Sequence, residues 1–171
     1  MIQTGESVPA FTLPMVTPEL AARADRGSYT SDDVETFSLD DALAEGPVVL
    51  ATFPGVYSRT CTRELCELRD WIDELTGLDA AVYGLSVDTP WSQLAFIDEY
   101  DLSYPLLSTF SSDLPDELGI RRTSGVLAGI TGRVVLVIAP DRTVVYGWET
   151  EESLTFPDLE AIEAAVESAG E

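Results

Sequence analysis

The feature that most constrains the fold of this chain is the alternation of buried-strand patterns with a strongly periodic helical pattern. Residues 47–53 and 80–87 are continuous apolar runs rich in β-branched residues, which is typical of strands in the middle of a sheet. Between them, the apolar positions 61, 65, 68, 72 and 75 are spaced by 4, 3, 4 and 3 residues, and Gly77 follows as a stop signal. This spacing predicts one amphipathic helix.

The remaining segments extend the same pattern. We predict a helix over 90–100, a short helix over 113–118, a β-hairpin formed by 133–138 and 143–148, and a terminal helix over 156–169. This order predicts an α/β fold that resembles the thioredoxin-like fold, with a central mixed sheet and helices on both faces, in a single domain over 1–171. Residues 15–36 fit poorly, and we predict a surface insertion with a short helix over 18–24.

The charge composition excludes some partners. The chain has 31 acidic and 9 basic side chains, a formal net charge of −22, and no lysine, histidine or asparagine. Such a surface repels nucleic acid and anionic membranes and suits a cytosol rich in salt, so we predict a halophilic source. An ordinary acidic protein remains the alternative.

The sequence predicts a cytoplasmic location. Its longest apolar runs, 48–53 and 134–139, are far shorter than the roughly 18 residues that a membrane-spanning helix needs. The N-terminal segment lacks the basic stretch followed by an apolar stretch that marks a secretory signal.

The two cysteines, Cys61 and Cys66, limit the chemistry. Without histidine, the chain has no means of forming a Cys-His protease site, a Ser-His-Asp site or a four-ligand Cys/His zinc site. We expect no metal, flavin or nucleotide cofactor, because the sequence also lacks a glycine-rich phosphate loop. Two close thiols in a cytosolic chain are either redox-active or incidental. Cys61 falls in the first turn of the predicted helix, where the helix N-terminus favours a nucleophilic thiolate.

The pattern Pro54-x-x-x-Ser58-x-x-Cys61 resembles the active-site signature of peroxiredoxins, although threonine is usual where this chain has Ser58. Glu64 and Arg133 also stand where that family has a supporting acid and a second-site arginine. Segments 5–13, 84–92 and 104–108 resemble other parts of the family, so the similarity covers most of the chain.

The resemblance implies a thiol-dependent peroxidase. Cys61 would attack the peroxide, Arg133 and Ser58 would receive the peroxide oxygens, Pro54 would shape and shield the loop, and Glu64 would orient the arginine. Taken alone, each residue also fits a structural role: packing for Cys61, a surface strand position for Arg133, strand termination for Pro54, helix capping for Ser58 and a solvated first-turn acid for Glu64.

Cys66 is the candidate resolving residue, because the spacing resembles the atypical two-cysteine members and particularly the bacterioferritin-comigratory-protein subgroup. Residues five apart in an intact helix have Cα atoms about 8 to 9 Å apart, whereas disulfides rarely exceed about 7 Å. The helix start would therefore unwind before a disulfide forms, and a thioredoxin-like protein or another dithiol would reduce it. In the alternative, Cys66 is a packed thiol and reduction comes from outside.

Two other functions stay open. A thiol-disulfide oxidoreductase on the same fold typically needs Cys-x-x-Cys, and Ser58 lacks the leading sulfur. A non-catalytic acidic binding domain is the second. The sequence leaves open whether the substrate is hydrogen peroxide or an organic hydroperoxide, and whether the protein is a monomer or a homodimer.

Overall fold

The strands of the chain form one mixed sheet. The computed structural model describes residues 1–74, 77–152 and 154–171, and the strand order in its sheet is β2-β1-β5-β4-β3-β6-β7. The strands are β1 Thr12–Val16, β2 Glu35–Ser38, β3 Val48–Thr52, β4 Ala81–Ser86, β5 Leu106–Ser108, β6 Arg133–Ile138 and β7 Val144–Thr150. The helices are α1 Pro18–Arg23, α2 Leu39–Ala44, α3 Arg59–Glu74, α4 Pro90–Tyr100, α5 Leu114–Glu117 and α6 Leu159–Ala169, with a 3₁₀ turn at Ser31–Asp33.

The centre of the sheet is parallel and its two sides are antiparallel. Strand β4 runs parallel to both β3 and β5, whereas β6 pairs antiparallel with β3 and β7 antiparallel with β6. In this register Leu50 of β3 lies between Tyr83 of β4 and Leu136 of β6. The predicted hairpin and the mixed sheet are confirmed.

Side-chain alternation along β3 divides the core between two faces. Val48 and Leu50 face the cluster that contains residues of α2 and α5. Val49 faces the opposite side, where it packs in a cluster with Trp71 of α3 and Ile162 of α6. Helices therefore cover both faces of the sheet, as the apolar runs predict, and α3 lies directly over the strand that precedes it.

The segment 15–36 differs from the predicted surface insertion at its two ends and at Leu20, whereas the predicted short helix over 18–24 is confirmed as α1. Its ends belong to β1 and β2, which pair with Met15 opposite Glu35. Between them, Leu20 of α1 is buried in a cluster with residues of α4. The polar residues around 25–32 are mostly exposed, as expected, but the few apolar residues on either side suffice to bring the segment into the sheet and the core.

Two helix boundaries refine the predictions. Helix α6 begins at Leu159, later than residue 156, because the Asp158 carboxylate accepts hydrogen bonds from the backbone N–H groups of the first turn. Helix α3 begins at Arg59, so Cys61 lies in its first turn. The predicted inward position at Leu75 lies outside the described residues. Within the described ranges, none of the helices has the length and apolarity that crossing a membrane requires.

Candidate active site

The loop between β3 and α3 is fastened at several points. Thr131 Oγ1 donates a hydrogen bond to the Phe53 carbonyl at 2.6 Å, and the Phe53 N–H donates to the Leu85 carbonyl at 3.0 Å. Further along, the Val56 N–H donates to Asp88 Oδ2 at 2.9 Å. Pro54, which is partly buried, lies between these attachments. The backbone that leads to the helix is thus held by neighbouring strands and their connections.

Ser58 caps helix α3. Its Oγ accepts a hydrogen bond from the Cys61 N–H at 3.1 Å, and its carbonyl accepts from the Thr62 N–H at 2.9 Å. This is the arrangement of an N-cap residue, and it satisfies one of the N–H groups that a helix start leaves without an intrahelical partner. Since the hydroxyl accepts from the backbone, its own hydrogen is free to point elsewhere. Ser58 is exposed, so that hydrogen is open to solvent or substrate.

Cys61 is fully buried and lies next to a cation. Its side chain packs in an apolar cluster with Phe53 and Leu65 and has an exposed fraction of 0%. Arg133 Nη2 donates a hydrogen bond to Cys61 Sγ at 3.8 Å, although the two residues are 72 positions apart in sequence. Arg133 is the first residue of β6, which pairs directly with β3, and β3 leads into the loop before Cys61. Strand pairing therefore brings the guanidinium to the thiol.

Glu64 holds the other side of the guanidinium. Arg133 Nε donates a hydrogen bond to Glu64 Oε2 at 3.0 Å and lies 2.8 Å from Oε1. The exposed fractions of the two side chains are 11% for Arg133 and 14% for Glu64, so Glu64 is not a solvated acid. Burial raises the pKa of Glu64, and the charge of Arg133 opposes that rise. The three side chains form a continuous series from carboxylate to guanidinium to sulfur.

Cys66 lies on the same helix, away from this series. The helix is continuous from Arg59 to Glu74, and both cysteines are free thiols. Cys66 is half-buried, and burial raises the pKa of its thiol, while the nearby Arg69 guanidinium opposes the rise. In this state the intact turns between Cys61 and Cys66 keep the two residues too far apart for a disulfide.

Asp88 belongs to the site but escaped sequence reasoning. Besides the Val56 N–H, its Oδ2 accepts a hydrogen bond from Ser86 Oγ at 2.6 Å, so one carboxylate joins the end of β4 to the loop before α3. The available signal was its position two residues after a buried parallel strand, because the carboxyl ends of parallel strands β3 and β4 meet at one edge of the sheet.

Tyr57 was also missed, and it directly precedes the capping residue Ser58. Its backbone has φ of 66°, in the left-handed region that is costly for a bulky residue. Its ring packs edge-on against Phe96 with the centroids 5.2 Å apart. Burial, followed by a hydrogen bond with Glu99, raises the pKa of Tyr57 to about 12. No local pattern predicts a positive φ at tyrosine, because packing against α4 stabilises it.

Within the described part of the chain, no cluster of three or more histidine, cysteine, aspartate or glutamate side chains is arranged to hold a metal ion. The chemical groups that the structure brings together at this site are the Cys61 sulfur, the Arg133 guanidinium, the Ser58 hydroxyl and the backbone N–H groups of the helix start. A nucleophilic sulfur beside fixed positive charge is suited to attack an electrophile whose leaving atom gains negative charge.

Comparisons with known proteins identify the family that the chain matches. Residues 4–147 match the model of the AhpC/TSA family. A protein of Mycobacterium tuberculosis that is named as a peroxiredoxin is 32% identical over 128 residues, which are 68% of this chain and 82% of that protein. Peroxiredoxin bcp1 of Schizosaccharomyces pombe is 30% identical over 124 residues, which are 72% of this chain and 55% of that protein.

Solved structures show the same fold. The crystal structure of peroxidoxin BcpB from Mycobacterium tuberculosis superimposes with a TM-score of 0.69 and 27% identity, covering 99% of this chain and 94% of that chain. Mycobacterium tuberculosis AhpC gives a TM-score of 0.79 at 17% identity, covering 98% of this chain and 93% of that chain. The predicted thioredoxin-like arrangement is confirmed.

Proposed function

Because this chain belongs to the AhpC/TSA family of peroxiredoxins, which are thiol peroxidases, we propose that it reduces hydrogen peroxide or organic hydroperoxides with Cys61 as the nucleophile. The observation that supports this assignment most directly is the contact between Arg133 Nη2 and Cys61 Sγ at 3.8 Å. This contact places the permanent positive charge of the guanidinium beside the buried sulfur, where a peroxide would react.

In the proposed reaction the Cys61 thiolate attacks one peroxide oxygen. A sulfur-oxygen bond forms, the O–O bond breaks, and the departing oxygen takes a proton to leave as water or an alcohol. Cys61 is oxidised to a sulfenic acid and the peroxide is reduced. The Arg133 guanidinium stabilises the negative charge that grows on the departing oxygen, and its fixed set of donors addresses sulfur and oxygen together.

The other site residues have supporting roles in this proposal. The Glu64 carboxylate orients Arg133, as the hydrogen bond from Nε at 3.0 Å suggests. Ser58 caps the helix that begins just before Cys61, and its hydroxyl hydrogen is available to a peroxide oxygen. Pro54 stands in the fastened loop and limits the access of water. Asp88 positions that loop through its hydrogen bond with the Val56 N–H and takes no part in the reaction.

Cys66 completes the proposed cycle. After the first turns of α3 unwind, its thiol condenses with the Cys61 sulfenic acid to give an intramolecular disulfide and water. Unwinding also removes the helix N-terminus beneath Cys61. The disulfide is then exposed for reduction by a thioredoxin-like protein or another dithiol. The similarity to proteins named bcp supports placing the chain near the bacterioferritin-comigratory-protein subgroup, whose cysteine spacing the chain resembles.

The test is a stopped-flow peroxide titration of the wild type, Cys61→Ser and Cys66→Ser, in molar salt. We expect Cys61→Ser to remove peroxide consumption, and Cys66→Ser to keep the first oxidation but stop recycling by a dithiol. Unchanged consumption in Cys61→Ser would contradict the peroxidase assignment. Rapid insulin reduction without peroxide consumption would instead support a disulfide oxidoreductase.

Mass spectrometry after one equivalent of peroxide tests the role of Cys66 separately. We expect an intramolecular disulfide between Cys61 and Cys66 in the wild type. If only the sulfenic acid or an adduct with an external thiol appears, Cys66 is a packed thiol and reduction comes from outside.

A further inference from the structure

A buried tyrosine hydroxyl contacts the helix backbone between the two cysteines. Tyr104 lies between α4 and β5, and the exposed fraction of its side chain is 2%. Its hydroxyl donates a hydrogen bond to the Leu65 carbonyl at 2.8 Å. Leu65 directly precedes Cys66 and follows Cys61 by one helical turn, so the bond falls within the segment that the proposed cycle unwinds.

This hydrogen bond adds a restraint that the helix itself does not require. Inside an α-helix each carbonyl already accepts the N–H of the residue four positions later, so the Leu65 carbonyl has a helical partner without Tyr104. A carbonyl oxygen has two lone pairs and accepts both bonds. The Leu65 carbonyl and the Cys66 N–H belong to one rigid peptide plane. Tyr104 therefore fixes the plane that must rotate when Cys66 turns towards Cys61.

The surroundings make the restraint local. Burial raises the pKa of Tyr104 well above its ordinary value, so the phenol stays protonated and remains a donor. One turn further along α3, Arg69 Nη1 donates a hydrogen bond to the Tyr100 carbonyl at 2.5 Å. This second attachment holds the later part of α3 against the end of α4, so unwinding is confined to the turns before it.

We propose that the Tyr104 hydroxyl restrains the unwinding of α3 between Cys61 and Cys66, and so sets how fast Cys66 resolves the Cys61 sulfenic acid. The inference rests on the proposed function. The step it controls is the attack of the Cys66 sulfur on the sulfenic sulfur, in which an S–S bond forms, the S–O bond breaks, and the hydroxyl leaves as water with the thiol proton. Tyr104 is thus a positioning residue that acts through the Leu65 carbonyl.

Tyr104→Phe tests the restraint because it removes only the hydroxyl and keeps the ring in its apolar cluster. The Leu65 carbonyl keeps its helical bond, so no buried group loses its only partner.

A matched control is Tyr83→Phe. Tyr83 also packs against a phenylalanine, Phe37, with ring centroids 4.7 Å apart, and burial is the only cause that raises the pKa of its hydroxyl, with no hydrogen bond to the described residues.

We expect Tyr104→Phe to form the disulfide about two- to tenfold faster after peroxide, which is the effect of losing one ordinary hydrogen bond from the folded side of the equilibrium. The first oxidation of Cys61 should keep its wild-type rate, since the hydroxyl bonds to the Leu65 carbonyl, whereas the guanidinium that contacts the Cys61 sulfur belongs to Arg133. The fraction of Cys61 overoxidised to sulfinic acid at high peroxide, measured by mass spectrometry, should fall. Tyr83→Phe should leave all three quantities unchanged.

Amide hydrogen exchange of reduced protein tests the restraint independently of Cys66 chemistry. We expect the peptide that contains residues 59–66 to exchange faster in Tyr104→Phe than in the wild type and in Tyr83→Phe. Equal exchange in the three proteins, or equal disulfide rates in Tyr104→Phe and wild type, would overturn the inference. Absence of the disulfide in wild-type protein would instead refute the proposed role of Cys66, and exchange alone would then decide the restraint.

Discussion

At the scale of the residue, the site depends on the permanent charge of Arg133 and on the buried carboxylate of Glu64. A guanidinium stays protonated throughout the physiological pH range, so Arg133 supplies a fixed charge next to Cys61. Glu64 is largely buried, and its raised pKa shows that burial costs the carboxylate more than Arg133 returns. Carboxylates with a pKa raised in this way are typical of functional sites, where holding Arg133 in one orientation matters more than the stability of the fold.

Replacing Arg133 by glutamine should slow the reaction of Cys61 with peroxide by about 10²- to 10³-fold, the usual effect of removing one donor from a charge-stabilising site. Stopped-flow oxidation of the first thiol is the measurement. Arg142→Gln is the matched control, because Arg142 is partly exposed and pairs with Asp40 at the surface. A wild-type rate in Arg133→Gln would contradict the proposed role of the arginine.

Glu64 should give the peroxide reaction a pH dependence that Glu64→Gln lacks. Because the folded-state pKa is raised, Glu64 takes up its proton at a higher pH than an ordinary glutamate, and Arg133 then loses its charged partner. We expect the wild-type rate, relative to the variant, to fall as pH decreases through that value.

Glu64 should affect stability in the opposite direction from the peroxide rate: its contribution to stability increases as pH decreases. A raised pKa means that its stabilising contribution is complete below the unfolded-state pKa and is lost as pH rises through the folded-state pKa. Glu64→Gln should therefore be at least as stable as wild type at neutral pH, measured by urea unfolding. A variant that is both fully active and less stable would contradict this account.

At the scale of the element, one helix start serves two incompatible tasks. In the proposed cycle, the first turn of α3 holds Cys61 at the helix N-terminus and beside Arg133, and the same turns unwind before Cys66 reaches it. Ser58 is the local determinant of that start, because its side chain accepts the Cys61 N–H at 3.1 Å. The stability of these turns therefore affects both peroxide attack and resolution.

Ser58→Ala should lower the free energy of unfolding by about 1 kcal/mol and also slow peroxide reduction, whereas Ser58→Thr should keep both because it retains the hydroxyl. Urea unfolding and stopped-flow oxidation are the measurements. Ser38→Ala is the control, since Ser38 caps α2 through the Asp41 N–H. It should lower stability by a similar amount and leave the peroxide rate unchanged. If Ser58→Ala and Ser38→Ala slow peroxide reduction equally, the slower rate reflects lower stability and not the capping of α3.

At the scale of the whole molecule, charge is the dominant property. With 31 acidic and 9 basic side chains, the carboxylates far outnumber the cations available to pair with them. Of the ion pairs that the described residues form, most are at least partly exposed and contribute little in water. We propose that the protein works as a single domain in the cytoplasm of a halophile, where concentrated salt screens this repulsion.

The free energy of unfolding should therefore rise between low and molar KCl. At about 1 M salt the screening length is about 3 Å, so repulsion between exposed carboxylates nearly vanishes, whereas at about 0.01 M it extends to about 30 Å. Urea unfolding at fixed pH measures the difference. Equal stability at both salt concentrations would contradict a halophilic origin and leave an ordinary acidic protein.

Much of the fold follows from local patterns. Strands β3 and β4, the hairpin of β6 and β7, and helix α3 appear where apolar runs and helical spacing predict them. The segment 15–36 was misjudged because β1 and β2 are short and partly exposed, so their pairing depends on contacts that no local pattern shows.

The sequence alone is enough to predict the central elements and the place of Cys61 in the first turn of a helix, because periodicity and capping act over a few residues. It also suggested, by resemblance, which distant residues to consider. Three contacts are visible only in the folded chain: Arg133 lies against Cys61, Asp88 holds the preceding loop, and Tyr104 contacts the backbone before Cys66. These contacts arise from strand pairing and helix packing, which join residues that are remote along the chain.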